Sequence, residues 1–135
     1  MLTRFEFIID GPPVSQQTRR RERVRVWQAK VLQEAEKYWS SEHKIFTGLV
    51  MLQVTYFYDS FEMDVDNIVK PIQDALIGLA YIDDGQITDV LVRKRNLSIN
   101  FQEKDINSIL AEGFTRGNEF LYIVVMDAPA QEVLN

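Results

Sequence analysis

Residues 49–58 read LVMLQVTYFY, and this stretch decides the fold class. The apolar side chains of one face recur at every second position, at Val50, Leu52, Val54, Tyr56 and Tyr58. A period of two is that of a β-strand. Several of the intervening residues are also apolar, so the other face is expected to be covered at least in part. The stretch therefore predicts a central strand, around which the rest of the chain is arranged.

Three further segments have the period and composition of strands. They are FEFII (5–9), ITDVLVRKR (87–95) and EFLYIVVMD (119–127). The prolines of DGPP end the first of them, because proline cannot donate to a strand ladder. With residues 49–58, the sequence predicts four strands.

Two segments have the apolar spacing of amphipathic helices. The first stripe is Val24, Trp27, Val31, Ala35 and Tyr38, and the second is Ile68, Ile72, Ala75 and Leu79. Residues 96–118 are harder to interpret. They are expected to extend the third strand through Leu97, Ile99 and Phe101, and then to form a short helix from Ile106 to Leu110 before Gly113.

The order of these elements is β-α-β-α-β-(α)-β. It predicts one α+β domain, with a mixed sheet whose helices pack mainly against one face. A length of 135 residues suits a single domain. We assign residues 1–128 to this domain and expect residues 129–135 to be a flexible tail.

The composition excludes several functional classes. The chain has no cysteine and a single histidine, His43, which rules out disulfides, thiolate metal sites and cysteine nucleophiles and disfavours histidine metal clusters and a Ser-His-Asp triad. His43 is interpreted as a solvated loop residue. No apolar run approaches a membrane span, and the first residues lack the features of a signal peptide. We therefore predict a cytoplasmic protein without a membrane partner.

Charge is distributed unevenly along the chain. The net charge is −5, but residues 1–48 carry +3, residues 49–90 carry −7 and residues 91–135 carry −1. The positive charge is concentrated in RRRERVR (19–25) and RKR (93–95). Such asymmetry is more informative about partners than the total charge.

The negative charge is concentrated around one lysine. Asp64 and Asp66 follow the central strand, Lys70 lies about one helical turn later, and Asp83 and Asp84 follow the second helix. Asp64 and Asp66 are two residues apart, so their carboxylates would point the same way if the segment is extended. Asp66 or Asn67 is also placed to cap the helix, and Asp74 is placed to pair with Lys70.

Two interpretations of this acidic cluster remain open from the residues alone. One is a helix cap followed by solvated turns. The other is a site for a hard cation such as Mg²⁺, which prefers carboxylate oxygens and activates water beside a phosphoryl group. An EF-hand is excluded, because a loop beginning at Asp64 places Ile68, Val69 and Ala75 at positions that are wrong for calcium.

The motifs resemble a known family. DVDNIVKPIQDAL (64–76), followed by YIDDGQI (81–87), resembles the RusA family of Holliday junction resolvases, and GPPVS (11–15) after the first strand is similar too. The resemblance implies a homodimeric, Mg²⁺-dependent endonuclease that acts on four-way DNA junctions, with Mn²⁺ as a substitute metal and no small-molecule cofactor. Residues 96–118 are longer than the strand connection usual in that family.

The resemblance also implies roles for individual residues. The catalytic residues would be Asp64, Asp66, Lys70 and Asp84. The metal ligands would be Asp64, Asp66, Asp83 and Asp84. Asn67, Asp74 and Gln86 would be supporting residues.

The arginine-rich segments are the candidate DNA contacts. Arg19, Arg20, Arg21, Arg23 and Arg25 are interpreted as a flexible arm that contacts phosphates, and Arg93, Lys94 and Arg95 as an extension of that surface. The arginines of residues 19–25 are also consistent with a solvated loop that leads into a helix. The basic residues 93–95 are also consistent with charges that protect an edge strand from aggregation. The rival functions are a flap or fork nuclease, a catalytically idle DNA-binding protein with the same fold, and an acidic protein-interaction module.

Overall fold

The computed structural model describes residues 4–61 and 63–134. They form a four-stranded sheet and three α-helices in the order β1 (Arg4–Asp10), α1 (Arg21–Tyr38), β2 (Val50–Tyr58), α2 (Val69–Ala75), β3 (Ile87–Asn96), α3 (Ser108–Arg116) and β4 (Phe120–Asp127). This is the predicted order, and the α+β class is confirmed. No helix in this part of the chain is long and apolar enough to cross a membrane.

The sheet is mixed, with the strand order β1-β4-β2-β3. β4 pairs antiparallel with both β1 and β2, and β2 pairs parallel with β3. β2 therefore lies inside the sheet, as its two-sided apolar pattern predicts. β3 lies at one edge.

The two faces of the sheet are covered differently. On the first face, α1 and α2 pack over a core that includes Leu52, Val54 and Tyr56 of β2, all fully buried. On the second face, α3 and the chain before it cover a smaller cluster built around Phe57 and Phe120. Helices thus lie mainly on one face, as predicted.

The first helix matches its predicted stripe, whereas the second is shorter than predicted. Val24, Trp27, Val31 and Ala35 of α1 are all buried. α2 ends at Ala75, and Gly78 has a φ of +95°, which a continuing helix cannot accommodate. Leu76, the residue that follows α2, is fully buried, while Leu79 is only partly buried. Pro71 is tolerated because it lies in the first turn, where a backbone N–H has no helical partner.

The prediction that Asp66 or Asn67 caps this helix is wrong. The residue before α2 is Ile68, which already has helical geometry and provides no side-chain cap. Asp66 and Asn67 lie instead in a preceding 3-10 turn, Val65–Asn67.

Residues 96–118 also differ from the prediction. β3 ends at Asn96 and does not extend through Leu97, Ile99 and Phe101. A helix does follow, but it begins at Ser108, where the Asn107 side chain accepts a hydrogen bond from the Leu110 N–H at 2.8 Å. It continues through Gly113 and ends at Gly117, whose φ of +76° suits a left-handed C-cap.

Candidate active site at the end of the central strand

The loop that leaves β2 is fastened by a single carboxylate. Oε1 of Glu119, which lies just before β4, accepts hydrogen bonds from the backbone N–H groups of Asp59, Ser60 and Phe61 at 2.8, 3.1 and 3.0 Å. The buried Tyr56 donates its hydroxyl to the Phe61 carbonyl at 2.7 Å. The chain is therefore held at the point from which it continues to Asp64.

The electrostatics of Glu119 reflect this role. Its partial burial opposes ionisation, but the three backbone donors stabilise the carboxylate more strongly and lower its pKa overall. Glu119 is thus a charged clamp at neutral pH. The sequence contains no local signal for this role, because the partners of Glu119 lie about sixty positions away along the chain.

The two aspartates of the D-x-D motif lie on an exposed turn. Asp64 is extended, with φ −64° and ψ 139°, and the next three residues form the 3-10 turn. Both carboxylates are exposed. The expectation of a continuous extended segment is wrong, so the argument that the two side chains must point the same way does not hold. A 3-10 turn has about three residues per turn, and residues two apart in it do not share a face.

Lys70 connects the start of α2 with the turn before β3. Its ammonium donates to Asp74 Oδ1 at 3.0 Å and to Asp84 Oδ2 at 3.5 Å. The hydrogen bond to Asp74 is the main reason why the pKa of Lys70 is raised, and Asp84 adds to it. The prediction that Asp74 pairs with Lys70 is confirmed.

Asp83 and Gln86 hold the turn itself. The Asp83 carboxylate accepts from the Gly85 N–H at 3.0 Å. The Gln86 side chain accepts from the N–H groups of Ile82 and Asp83 at 2.8 and 3.0 Å. It also donates to the carbonyls of Phe46 and Gly48, both at 2.8 Å. Asp84 is thereby fixed within this turn, between Asp83 and Gln86, and faces Lys70.

A buried tyrosine connects α2 with the chain before the turn at Asp83–Gln86. Tyr81 is fully buried and donates its hydroxyl to the Gln73 carbonyl at 2.6 Å. Burial, reinforced by the nearby charges of Asp74 and Asp84, raises its pKa. Tyr81 therefore acts as a neutral donor that ties the end of α2 to the chain before Asp83.

The acidic side chains offer the oxygen ligands that a hard cation prefers, but too few of them lie close together. Asp64, Asp66 and Asp84 offer only oxygen ligands, and Mg²⁺ commonly uses one or two carboxylates, completing its shell with water and substrate oxygens. Within residues 4–61 and 63–134, however, no three acidic, histidine or cysteine side chains lie close enough together to hold a metal ion. Asp64, Asp66, Asp83 and Asp84, which all belong to this described part of the chain, therefore do not form a four-carboxylate cage.

The first arginine segment lies beside this turn. The Gln16 N–H donates to the Asn67 carbonyl at 3.1 Å, and Gln28 Nε2 of α1 donates to the Pro71 carbonyl at 3.3 Å. The loop before α1 and the first turns of α1 therefore lie next to the acidic motif. The five arginines are all exposed, but α1 begins at Arg21, so Arg21, Arg23 and Arg25 belong to a helix rather than to an arm.

The second basic segment is divided between the two faces of the sheet. Lys94 pairs with Tyr56, which belongs to the first face, while Arg93 Nε donates to Thr55 Oγ1 at 2.9 Å. Successive residues of a strand point to opposite faces. Arg93 and Arg95 therefore do not extend the surface of the first arginine segment, and only Lys94 lies on that side.

The aromatic and histidine residues have structural environments. Trp27 is buried in the first core and Trp39 packs against it. His43 is partly buried rather than fully solvated, and its ring stacks on Trp39 with centroids 5.0 Å apart.

The chain matches the model of a known protein family. A family model described as Endodeoxyribonuclease RusA matches residues 10–100, more than half of the chain. The matched range contains the D-x-D turn, Lys70, the turn at Asp83–Gln86 and both arginine segments. A search of the curated proteins finds no match.

Proposed function

The chain belongs to the RusA family of endodeoxyribonucleases, and from this premise we propose that it resolves four-way DNA junctions by Mg²⁺-dependent hydrolysis of phosphodiesters. The proposed catalytic residues are Asp64, Asp66, Lys70 and Asp84. We further propose that it acts as a homodimer in the cytoplasm on nucleoid DNA, since two matched cuts require two equivalent sites.

The observation that carries this proposal is the position of Lys70. Its ammonium is held at 3.0 Å from Asp74 and 3.5 Å from Asp84, about one turn after two exposed carboxylates. Because its pKa is raised, Lys70 stays protonated at neutral pH and cannot act as a general base. It is instead a fixed positive charge, which stabilises the negative charge that develops on a phosphodiester during hydrolysis.

The carboxylates have a different role. Asp64 and Asp66 would hold the metal, with Asp84 as a third ligand. When bound, Mg²⁺ would lower the pKa of a water molecule and neutralise charge on the phosphoryl oxygens. Asp83 is a weaker candidate ligand, because its carboxylate already accepts the Gly85 N–H at 3.0 Å.

DNA contact is proposed for the arginines beside the acidic turn. Each exposed cation that neutralises a phosphate releases counterions and makes binding depend on salt. With a net charge of −5, the chain depends on a local patch of positive charge to bind DNA.

One observation favours the rival function, an idle DNA-binding protein with the same fold. Asp84 is paired with Lys70, and no carboxylate trio is formed among the described residues. An active enzyme would have to bring the carboxylates together when the metal and DNA bind. An idle protein would not.

The test is cleavage of a labelled synthetic four-way junction, beside linear duplex and flap substrates, with Mg²⁺ and with a chelator. Wild type and Asp66→Asn are purified in the same way, so that a contaminating nuclease would appear in both. The proposal predicts paired nicks in the junction only, in Mg²⁺ only, and by wild type only. Equal cutting of all substrates would indicate a general or flap nuclease, and tight junction binding without cutting by wild type would indicate the idle protein.

A further inference from the structure

The second face of the sheet contains a cavity of about 490 Å³ that the proposed nuclease site does not use. Its floor is formed mainly by β2 and β3, with Arg4 of β1 and Tyr122 of β4 at its side, and its far wall by the chain that follows β3. The volume lies within the range of about 300–1,000 Å³ that is typical of small-molecule sites. The family match ends at residue 100, so most of this wall lies outside it.

The floor is polar where a sheet core would be apolar. On the first face, β2 presents fully buried Leu52 and Val54, but its cavity side presents Gln53 and Thr55. Thr55 is only 4% exposed, yet its hydroxyl accepts a hydrogen bond from Arg93 Nε at 2.9 Å. A buried hydroxyl on the central strand therefore orients an arginine on the cavity floor.

The charge of the lining is positive. It contains Arg4, Arg93, Arg95 and a single acid, Asp105. Arg4 is neutralised by Glu6, which lies 2.6 Å from its Nε. Arg93 and Arg95 then outweigh the single charge of Asp105, so the lining keeps a net positive charge. Within the described residues, Arg93 and Arg95 donate hydrogen bonds to neutral oxygens, Thr55 Oγ1 and the Lys94 carbonyl. Such a floor selects an anion, and planar guanidinium groups suit phosphate oxygens.

An aromatic cluster joins Phe57 of the floor to the far wall. The rings of Phe57, Phe101 and Phe114 contact one another, with centroids 5.4 Å apart for Phe57–Phe101, 5.0 Å for Phe57–Phe114 and 5.4 Å for Phe101–Phe114. Phe101 is partly exposed. An aromatic surface opposite a phosphate-binding floor is the arrangement that accepts a base through stacking.

We propose that this cavity binds one nucleoside 5′-phosphate unit, with the phosphate on Arg93 and Arg95 and the base against Phe101. The unit is either a free mononucleotide or one unstacked nucleotide of a DNA strand, since both present the same chemistry. The proposal does not depend on the nuclease function, because no proposed catalytic residue lines the cavity.

The experiment is calorimetric titration of the full chain with four probes: thymidine 5′-monophosphate, thymidine, inorganic phosphate and single-stranded thymidine pentanucleotide. The test variant is Arg95→Gln, which removes a charge from an exposed side chain. The matched control is Lys104→Gln, because Lys104 is exposed nearby but does not line the cavity. Phe101→Leu removes the ring while keeping an apolar side chain of similar size.

The proposal predicts one thymidine monophosphate per chain, bound about tenfold more weakly after Arg95→Gln, since one charge-assisted hydrogen bond is lost. Lys104→Gln should leave the affinity within about twofold of wild type, and Phe101→Leu should weaken thymidine monophosphate more than inorganic phosphate. Tighter binding of the mononucleotide identifies a free nucleotide as the ligand, and tighter binding of the pentanucleotide, sensitive to Arg95→Gln, identifies a DNA strand.

Three results would overturn the proposal. The first is that neither the mononucleotide nor the pentanucleotide binds. The second is that thymidine binds as tightly as its monophosphate. The third is that Arg95→Gln and Lys104→Gln bind alike.

Discussion

The two faces of the sheet differ in how closely they are packed. The first is closed by α1 and α2 over a core whose strand residues are fully buried, and the acidic turn, Lys70 and Asp84 lie at its margin. The second is closed over a smaller cluster around Phe57 and Phe120, where α3 packs, and it leaves a polar cavity mainly over β2 and β3. The difference suggests that the first face supports fixed charges while the second retains room for a ligand.

The largest expected difference concerns the two cores. Ile72→Ala in α2 removes a fully buried side chain, and we expect it to lower the free energy of unfolding by about 2–5 kcal/mol. Leu110→Ala in α3 should cost at least about 1 kcal/mol less, because Leu110 lines the cavity and has fewer atoms packed around it. Denaturant unfolding of both variants measures this, and equal losses would mean that the second face is as well packed as the first.

The next prediction separates charge at the active site from stability. Lys70→Met should slow junction cleavage by about a hundredfold, because a preorganised positive charge is lost. The free energy of unfolding should change by less than about 0.5 kcal/mol, since both ion pairs of Lys70 are partly exposed. Lys37→Met, at an exposed lysine that pairs with Glu34 in the last turn of α1, is the matched control for the charge change. A Lys70→Met variant that cuts at the wild-type rate would remove Lys70 from the mechanism.

A glycine tests how tightly the second face is packed where it is closed. A methyl group at Gly113 would overlap the ring of Phe120, which is fully buried and stacked on Phe57 with centroids 4.7 Å apart. Gly113→Ala should therefore lower the free energy of unfolding by about 1–3 kcal/mol from overpacking, despite a gain of about 1 kcal/mol in helix propensity. Gly48→Ala, where a methyl group meets nothing within 4 Å, is the control. If Gly113→Ala were stabilising, this end of the face would be loosely packed as well.

The smallest expected effect concerns the clamp before the acidic turn. The pKa of Glu119 is lowered in the folded protein, so its contribution to stability is present above its ordinary pKa of 4.5 and is lost as pH falls through the folded value. Glu119→Gln should lower the free energy of unfolding by about 1 kcal/mol at pH 7, and the difference from wild type should shrink as the pH falls below about 4. Unfolding at several pH values measures this, with Glu132→Gln in the C-terminal segment as the control. A difference that does not change with pH would mean that the charge of Glu119 is not what holds the loop.

The sequence predicted the elements that have a strong local period. The alternation in residues 49–58 and the stripe from Val24 to Ala35 are properties of neighbouring residues, and the structure follows both. The split of Arg93 and Arg95 from Lys94 also follows from the period of a strand, once residues 87–95 are known to form one.

The features that the sequence did not predict depend on contacts between residues that are distant along the chain. The Glu119 clamp joins positions about sixty residues apart, and the cavity wall is completed by residues 101–114, whose pattern resembles neither a strand nor a long helix. The D-x-D segment was expected to be extended, but it turns because the chain must enter α2 directly. None of these features has a local signature.

The most direct test of the account is single-turnover cleavage of a four-way junction, with junction binding measured in parallel, for Asp66→Asn and Asp127→Asn. The two substitutions make the same change in charge at exposed residues, but Asp127 pairs with Val50 at the opposite end of β2 from the acidic turn. The account predicts that Asp66→Asn binds the junction at least as tightly as wild type but cleaves it at least about a hundredfold more slowly, while Asp127→Asn cleaves normally. Normal cleavage by Asp66→Asn would contradict the placement of the catalytic centre at this end of the first face.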